Sequence, residues 1–243
     1  MLEAFHDRLR HLCAHDGQGA GLQRDGLIRW QAQQARALAD KLGILKRFGT
    51  TWDEWRASDP DLKFGSEHIF ECAPGSGLVG KITIPGKFGL TPQVIAHPTV
   101  NLRNDPAVPG FRRALEFVPA TPLEYLQRWL DANALFHDDV KLVSVVEWQD
   151  GRLSFGITQP QYDGEPAPLQ DITLYFEASG WKWIADPAGG EGHLLFFHYP
   201  QGVLAVDALP RNCFLHDGTL LPFDVILCRP DAEIEEFLSL YPG

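Results

Sequence analysis

The stretch Val206-Asp-Ala-Leu-Pro-Arg-Asn-Cys-Phe-Leu-His-Asp-Gly-Thr-Leu-Leu-Pro-Phe-Asp224 sets two carboxylates and one carboxamide among apolar runs of strand character. Two readings compete for Asp207, Asn212 and Asp224. They are turn residues in a small sheet, since Asp, Asn and Pro are common turn formers, or they converge on a divalent cation. Asp217-Gly218 is a tight-turn signal that folds a strand at Asn212–Leu215 back onto one at Leu220–Leu227. Asp224 then lies in Leu-Leu-Pro-Phe-Asp-Val-Ile-Leu, where burying a carboxylate is costly unless positive charge sits beside it. That favours the cation reading.

Moving outward, Val203–Val206 and Leu194–Tyr199 read as strands, Ala188–Gly192 as a loop, and residues 169–184 as a helix fading into Trp-rich packing. Lys141–Trp148 and Leu153–Thr158 form a hairpin around Gln149-Asp-Gly151. Thr121-Pro-Leu-Glu124 opens a helix with Thr at the N-cap, Pro at the first helical position and Leu123, Leu126 and Leu130 facing inward. Residues 85 to about 120 are Pro/Gly-rich and irregular, and are expected to be an insertion or lid. Ser66–Cys72 and Leu78–Ile84 pair as a hairpin across the glycine-rich tip Ala73–Gly77. Residues 1 to about 62 read as helical, with Leu27, Trp30, Leu38 and Leu42 at helical spacing and Gly43 as a stop.

The composition is that of an ordinary globular chain: 44% apolar and 22% charged residues in 243 positions. Thirty-two acidic against 21 basic side chains give a net charge of −11 with no Lys/Arg run, which argues against nucleic-acid or anionic membrane partners. Cys13, Cys72, Cys213 and Cys228 are scattered without CxxC spacing, no apolar span approaches bilayer length, and the first residues lack signal-peptide character. A cytoplasmic, reduced protein is expected. His11, Cys13 and His15 suggest zinc only if further ligands join them. Trp52, Trp55, Trp129, Trp148, Trp181 and Trp183 are read as core.

The order of elements, together with an Asp followed five residues later by an Asn and a second Asp closing the next hairpin, resembles a protein-kinase-like fold. More closely, residues 62 to 228 resemble the kinase family found in phage and mobile-element polyvalent proteins of bacteria. The resemblance rests on Gly65-Ser-Glu-His68, Gly80-Lys-Ile-Thr83 with Pro85-Gly-Lys-Phe-Gly89, Glu124-Tyr-Leu-x-Arg128, Thr158-Gln-Pro160, Asp207 to Asn212 and Leu221-Pro-Phe-Asp224. It implies an α+β, two-lobed fold with a minimal C-terminal lobe, to which the helical reading of the first sixty residues adds an N-terminal helical extension. The extension is residues 1–62 and the kinase-like domain 63–243, with an N-lobe to about 158, a hinge at 159–161 and a reduced C-lobe from 162.

The resemblance further implies ATP and Mg2+ as cofactors and an unidentified protein or small-molecule hydroxyl as acceptor. Asp207 takes the place of the base; Asn212 and Asp224 hold magnesium, which accepts such hard oxygen donors. Lys81 touches the phosphates, oriented by Glu124 or else by Glu116. The tip Gly75-Ser-Gly77 covers the phosphates with backbone N–H groups, and Gln159 sits at the hinge that reads adenine. Glu124 has a second reading, because Thr121-x-x-Glu124 is itself a capping box.

Departures from the kinase pattern are equally specific. Ala205-Val206 stands in place of His-Arg before the base, Val225-Ile226 in place of Phe-Gly after the metal aspartate, and fewer than twenty residues follow Asp224. A pseudokinase-type interaction module and a nucleotidyl transferase on the same fold are the alternatives.

Overall fold

A computed structural model of the chain describes residues 1–15, 18–58, 63–72, 75–99, 110–187 and 194–241. It is a mixed α+β structure with several sheets, and it divides into two compact units. The first comprises Met1–Leu90 and Pro119–Tyr162; the second comprises Thr91–Val118 and Asp163–Gly243. The expected loop at 188–192, the middle of the 85–120 stretch and part of the glycine-rich tip lie outside the described residues.

The first unit contains α1 (Leu2–His15), α2 (Arg24–Lys41), β1 (Leu45–Arg47), α3 (Trp52–Ser58), β2 (Lys63–Phe64), β3 (His68–Cys72) and β4 (Leu78–Thr83). The second unit's ribbon follows, β5 (Leu90–Thr99) paired with β6 (Gly110–Pro119), and the chain returns as α4 (Pro122–Phe136), β7 (Lys141–Glu147) and β8 (Leu153–Pro160). Six strands form one sheet in the order β1-β7-β8-β4-β3-β2, antiparallel except for the parallel pair β1/β7. Alternation along the strands gives the sheet two different faces. On one, Phe155 is wedged among Phe5 of α1, Phe88 and Tyr125 of α4, with ring centroids 5.0 to 6.2 Å away. On the other, Trp52 and Trp55 of α3 pack on Trp148 together with Ile69 and Val146.

Residues 1–62 are therefore not a separate body. The helices α1 and α2 pack on each other and on α4, and β1 is a member of the sheet. Local chemistry explains where α2 stops: Gly43, at φ +71, lets Ile44 N–H reach back to Ala39 O at 3.0 Å. The inward face of α4 is Tyr125, Leu126, Trp129 and Ala132, not the expected row through Leu123 and Leu130, which are only half-buried.

The second unit adds β9 (Glu165–Pro166), α5 (Leu169–Ala178), β10 (Lys182–Ile184), β11 (Leu195–His198), β12 (Val203–Val206), a 3-10 turn (Pro210–Asn212), β13 (Cys213–His216), β14 (Thr219–Pro222), β15 (Ile226–Cys228) and α6 (Ala232–Leu238). One sheet runs β10-β11-β12-β15 and another β14-β13-β9, all antiparallel. Phe176 of α5 stacks on Phe196 at 4.4 Å, a burial that contributes about 2–3 kcal/mol. The expected helix over 169–184 ends at Ala178, and Gly180 (φ +84) turns the chain into β10, where Trp183 is 50% exposed and so is not core. The 85–120 stretch carries regular structure: Val94, Leu115 and Phe117 of the ribbon join Leu204, Val206, Ile226 and Ile234 in the second unit's core.

Candidate active site

β12 is buried at all four positions and flanked by β11 and β15, so Asp207 emerges at the end of a central strand. There the backbone adopts φ +61, a left-handed conformation tolerated by Asp, and the chain swings into the 3-10 turn with Pro210 at its first position. The turn closes through Leu209 N–H on Asp207 O at 2.9 Å and Asn212 N–H on Leu209 O at 2.8 Å. Asn212, nearly fully buried, then donates its Nδ2 both to Asp207 O and to Asp207 Oδ2, each at 2.8 Å. The other carboxylate oxygen, Oδ1, accepts from Arg211 Nη2. With its donor nitrogen committed, the only other polar group on the Asn212 side chain is the acceptor Oδ1.

The hairpin β13/β14 brings the third residue in. Asp217 (φ +47) and Gly218 (φ +76) make the tight turn, Cys213 pairs with Pro222, and Phe223 N–H donates to Asn212 O at 3.1 Å. Asp224, the next residue, is half-buried in the bend that leads to β15, where Ile226 pairs with Val206 beside Asp207. Asp207, Asn212 and Asp224 thus belong to one local assembly tied at both ends by strand register. Burial, reinforced by the negative charge of Asp207, pushes the Cys213 thiol up to about 12, so it stays protonated and is not a nucleophile.

Among the described residues no group of three or more His, Cys, Asp or Glu side chains is arranged to hold a metal ion; His11 and His15 touch, with rings 4.0 Å apart, but recruit no further ligand. Asn212 Oδ1 and the Asp224 carboxylate are hard oxygen donors of the kind magnesium accepts.

Of the other expected site residues, Lys81, Glu124, Gln159 and the tip Gly75–Gly77 fall in the first unit, and Glu116 falls in the second. Lys81, half-buried on β4, holds its Nζ 5.4 Å from the centre of the Trp129 ring. Glu124 does not pair with it. The capping box is complete, with Thr121 N–H donating to Glu124 Oε2 at 2.6 Å and Glu124 N–H to Thr121 Oγ1 at 3.3 Å, and this geometry turns the carboxylate back over the helix start. There Arg24 of α2 binds it at 2.7 Å. Glu116 pairs instead with His97 on the ribbon.

Gln159 lies inside β8, opposite Val79, and its buried amide donates to both oxygens of Asp138 at 3.1 and 2.9 Å, where Tyr162 also donates. Its side chain is thus committed to the fold. At the hairpin tip, Gly75 and Gly77 both have positive φ, and Ser76 Oγ accepts from Leu78 N–H at 3.1 Å.

Two motifs without an assigned chemistry find each other. Arg128 donates to Glu67 at 2.8 Å, both side chains largely buried, and His68 shares a hydrogen bond with Tyr125 at 2.9 Å. Gly65-Ser-Glu-His68 and Glu124-Tyr-Leu-x-Arg128 thus clamp the start of β3 to α4, and the identities Arg and Glu four segments apart are the only sequence signal of it. No protein-family model matches the chain, and no curated protein or solved structure matches it either.

Proposed function

We propose that the chain is an ATP- and Mg2+-dependent phosphotransferase of kinase-like architecture, moving a γ-phosphoryl group to a hydroxyl. The observation that carries this reading is the pair of hydrogen bonds from Asn212 Nδ2 to the carbonyl and carboxylate of Asp207, with Phe223, the neighbour of Asp224, donating its N–H to Asn212 O. Asp224 lies in the bend one residue beyond that contact, between the Cys213/Pro222 and Val206/Ile226 strand pairs.

In this reading Asp207 orients the acceptor hydroxyl and takes its proton as the new oxygen–phosphorus bond forms and the bond from phosphorus to the ADP oxygen breaks. Asn212 Oδ1 and the Asp224 carboxylate would hold magnesium, which when bound would supply charge to offset that of the triphosphate. The kinase resemblance assigns the phosphate-contacting ammonium to Lys81, which lies in the first unit. Positioning and charge neutralisation provide the rate enhancement, so no covalent nucleophile is required.

The test is transfer from γ-labelled ATP, with α-labelled ATP run in parallel. Asp207→Asn should lower γ-label transfer at least about 100-fold while leaving nucleotide affinity within a few fold. Asp224→Asn should weaken Mg2+-dependent ATP binding. Incorporation of the α-label would establish nucleotidyl transfer. Equal γ-label transfer by Asp207→Asn and the unsubstituted chain would end the proposal.

A nucleotide-binding module without turnover is the second reading, favoured by two observations. Glu124 is engaged by Arg24, and Arg211 sits on the Asp207 carboxylate. Mg2+-dependent ATP binding with no label transfer would select it.

A further inference from the structure

We infer that the first unit carries a binding site for a small aromatic carboxylate, on the sheet face that α3 covers only in part. A cavity of about 220 Å³ lies there, lined among others by Lys46, Trp55, Lys81, Ser144, Gly156 and Thr158. Its shape follows from the strands. The pairing of β7 with β8 passes from Leu142/Ile157 directly to Ser144/Gly156, so Val143 is an extra, bulged residue and is 45% exposed. Bulges of this kind re-aim neighbouring side chains. Here the bulge lays the Ser144 hydroxyl above Gly156, where any Cβ on that glycine would overlap it. On the neighbouring strand, Gly80 pairs with Thr158 and adds no side chain to the floor.

Ser144 is 4% exposed, yet its hydroxyl forms no hydrogen bond among the described residues. The hydroxyl is not fully buried, so at the cavity wall it is a donor and acceptor open to a molecule that enters. The rest of the lining says what that is. Trp55 and the apolar floor accept a flat ring. The Lys46 side chain, exposed at the neighbouring strand β1, makes no ion pair among the described residues and supplies a positive charge for a carboxylate. The volume suits one or two rings and is below that of drug-sized ligand pockets.

The full chain titrated with 1-naphthoate tests this by amide chemical shifts. Shifts should concentrate at Gly80, Ser144, Gly156 and Thr158. Lys46→Glu, at an exposed position, should raise the Kd about fivefold or more, and Ser144→Ala about fivefold, the scale of one lost charge contact or hydrogen bond. Because Lys46→Glu leaves the core untouched, it reads out the site even if Ser144→Ala perturbs packing. Naphthoate shifts confined to other residues, no binding at millimolar naphthoate, or an unchanged Kd in both variants would overturn the inference. Phosphotransfer is not involved in any of these readouts.

Discussion

At Asp207 the left-handed backbone and the three side-chain and main-chain bonds are one device. A residue at φ +61 is uncommon outside Gly, Asn and Asp, and here it aims the carboxylate where Asn212 and Arg211 meet it. The bond from an amide N–H to a buried carboxylate contributes about 1.5–3 kcal/mol. Asn212→Ala should therefore destabilise the second unit by about 2 kcal/mol, read from the urea midpoint. Asn212→Asp should cost more, although it keeps the side-chain size, because it replaces a donor with a second negative charge beside the first. If the Asp variant is the more stable of the two, the Asn212 amide is not what holds Asp207. The five-residue interval between Asp207 and Asn212 marked the pair in the sequence, as base and metal ligand or as turn residues around Pro210, but the direct bond between them is seen only in the structure. The Arg24–Glu124 pair was not legible, because the partners lie a hundred positions apart; the expected Lys81–Glu124 pair does not form.

Elements that announce themselves locally were readable, and those that depend on distant partners were not. Thr121-Pro-x-Glu124 and Asp217-Gly218 carry their own bonding, whereas the parallel pairing of β1 with β7 and the short β9 depend on residues far away. The ribbon β5/β6 escaped because its burial does not alternate: β6 reads half-buried or exposed along its length, so no period of two marks it. The clamp between β3 and α4 makes a sharp element-scale prediction. Arg128→Met leaves the Glu67 carboxylate largely buried with its cation removed, and should destabilise by about 3–5 kcal/mol. The double variant Arg128→Met with Glu67→Leu should recover part of that loss, measured by the same denaturation. A loss no larger in the single variant than in the double would show that the ion pair is incidental. β11 carries a pH dependence of its own. Burial lowers the pKa of His198, whose Nδ1 is buried without a hydrogen bond, and the ring lies against Trp181. The folded state therefore favours neutral His198, while the unfolded chain protonates near 6.5. Stability is unaffected by this group above about pH 7 and falls as pH drops below 6.5, with a slope of at most about 1.4 kcal/mol per pH unit. His198→Phe should flatten the slope between pH 6.5 and 5.5; an unchanged slope would assign it elsewhere, His6 being the other histidine lowered by burial.

The chain as a whole is discontinuous in both compact units, and the ribbon is the reason. Residues 91–118 leave the first unit's sequence between β4 and α4 and contribute Val94, Leu115 and Phe117 to the core around β11, β12, β15 and α6. Arg113 on β6 also binds Glu236 of α6 at 3.1 Å and places its guanidinium 5.5 Å from the Phe237 ring, so the ribbon and the last helix are joined by charge as well as by apolar contact. A lid would leave both cores intact when removed. A structural ribbon would not, because stripping three apolar side chains from one core costs on the order of 5 kcal/mol or more, comparable with the whole stability of a small domain. Replacing residues 91–118 with a short Gly/Ser linker should therefore speed hydrogen exchange at the β11 and β12 amides by several orders of magnitude. The amides of β7 and β8, whose core draws on Phe5, Tyr125 and Phe155, should remain protected. Because β12 ends at Asp207, the same deletion should abolish label transfer from ATP even though it removes none of the proposed catalytic side chains. Full protection of β11 and β12 in the deleted chain would make the ribbon an accessory, and its apolar contacts with the second core dispensable.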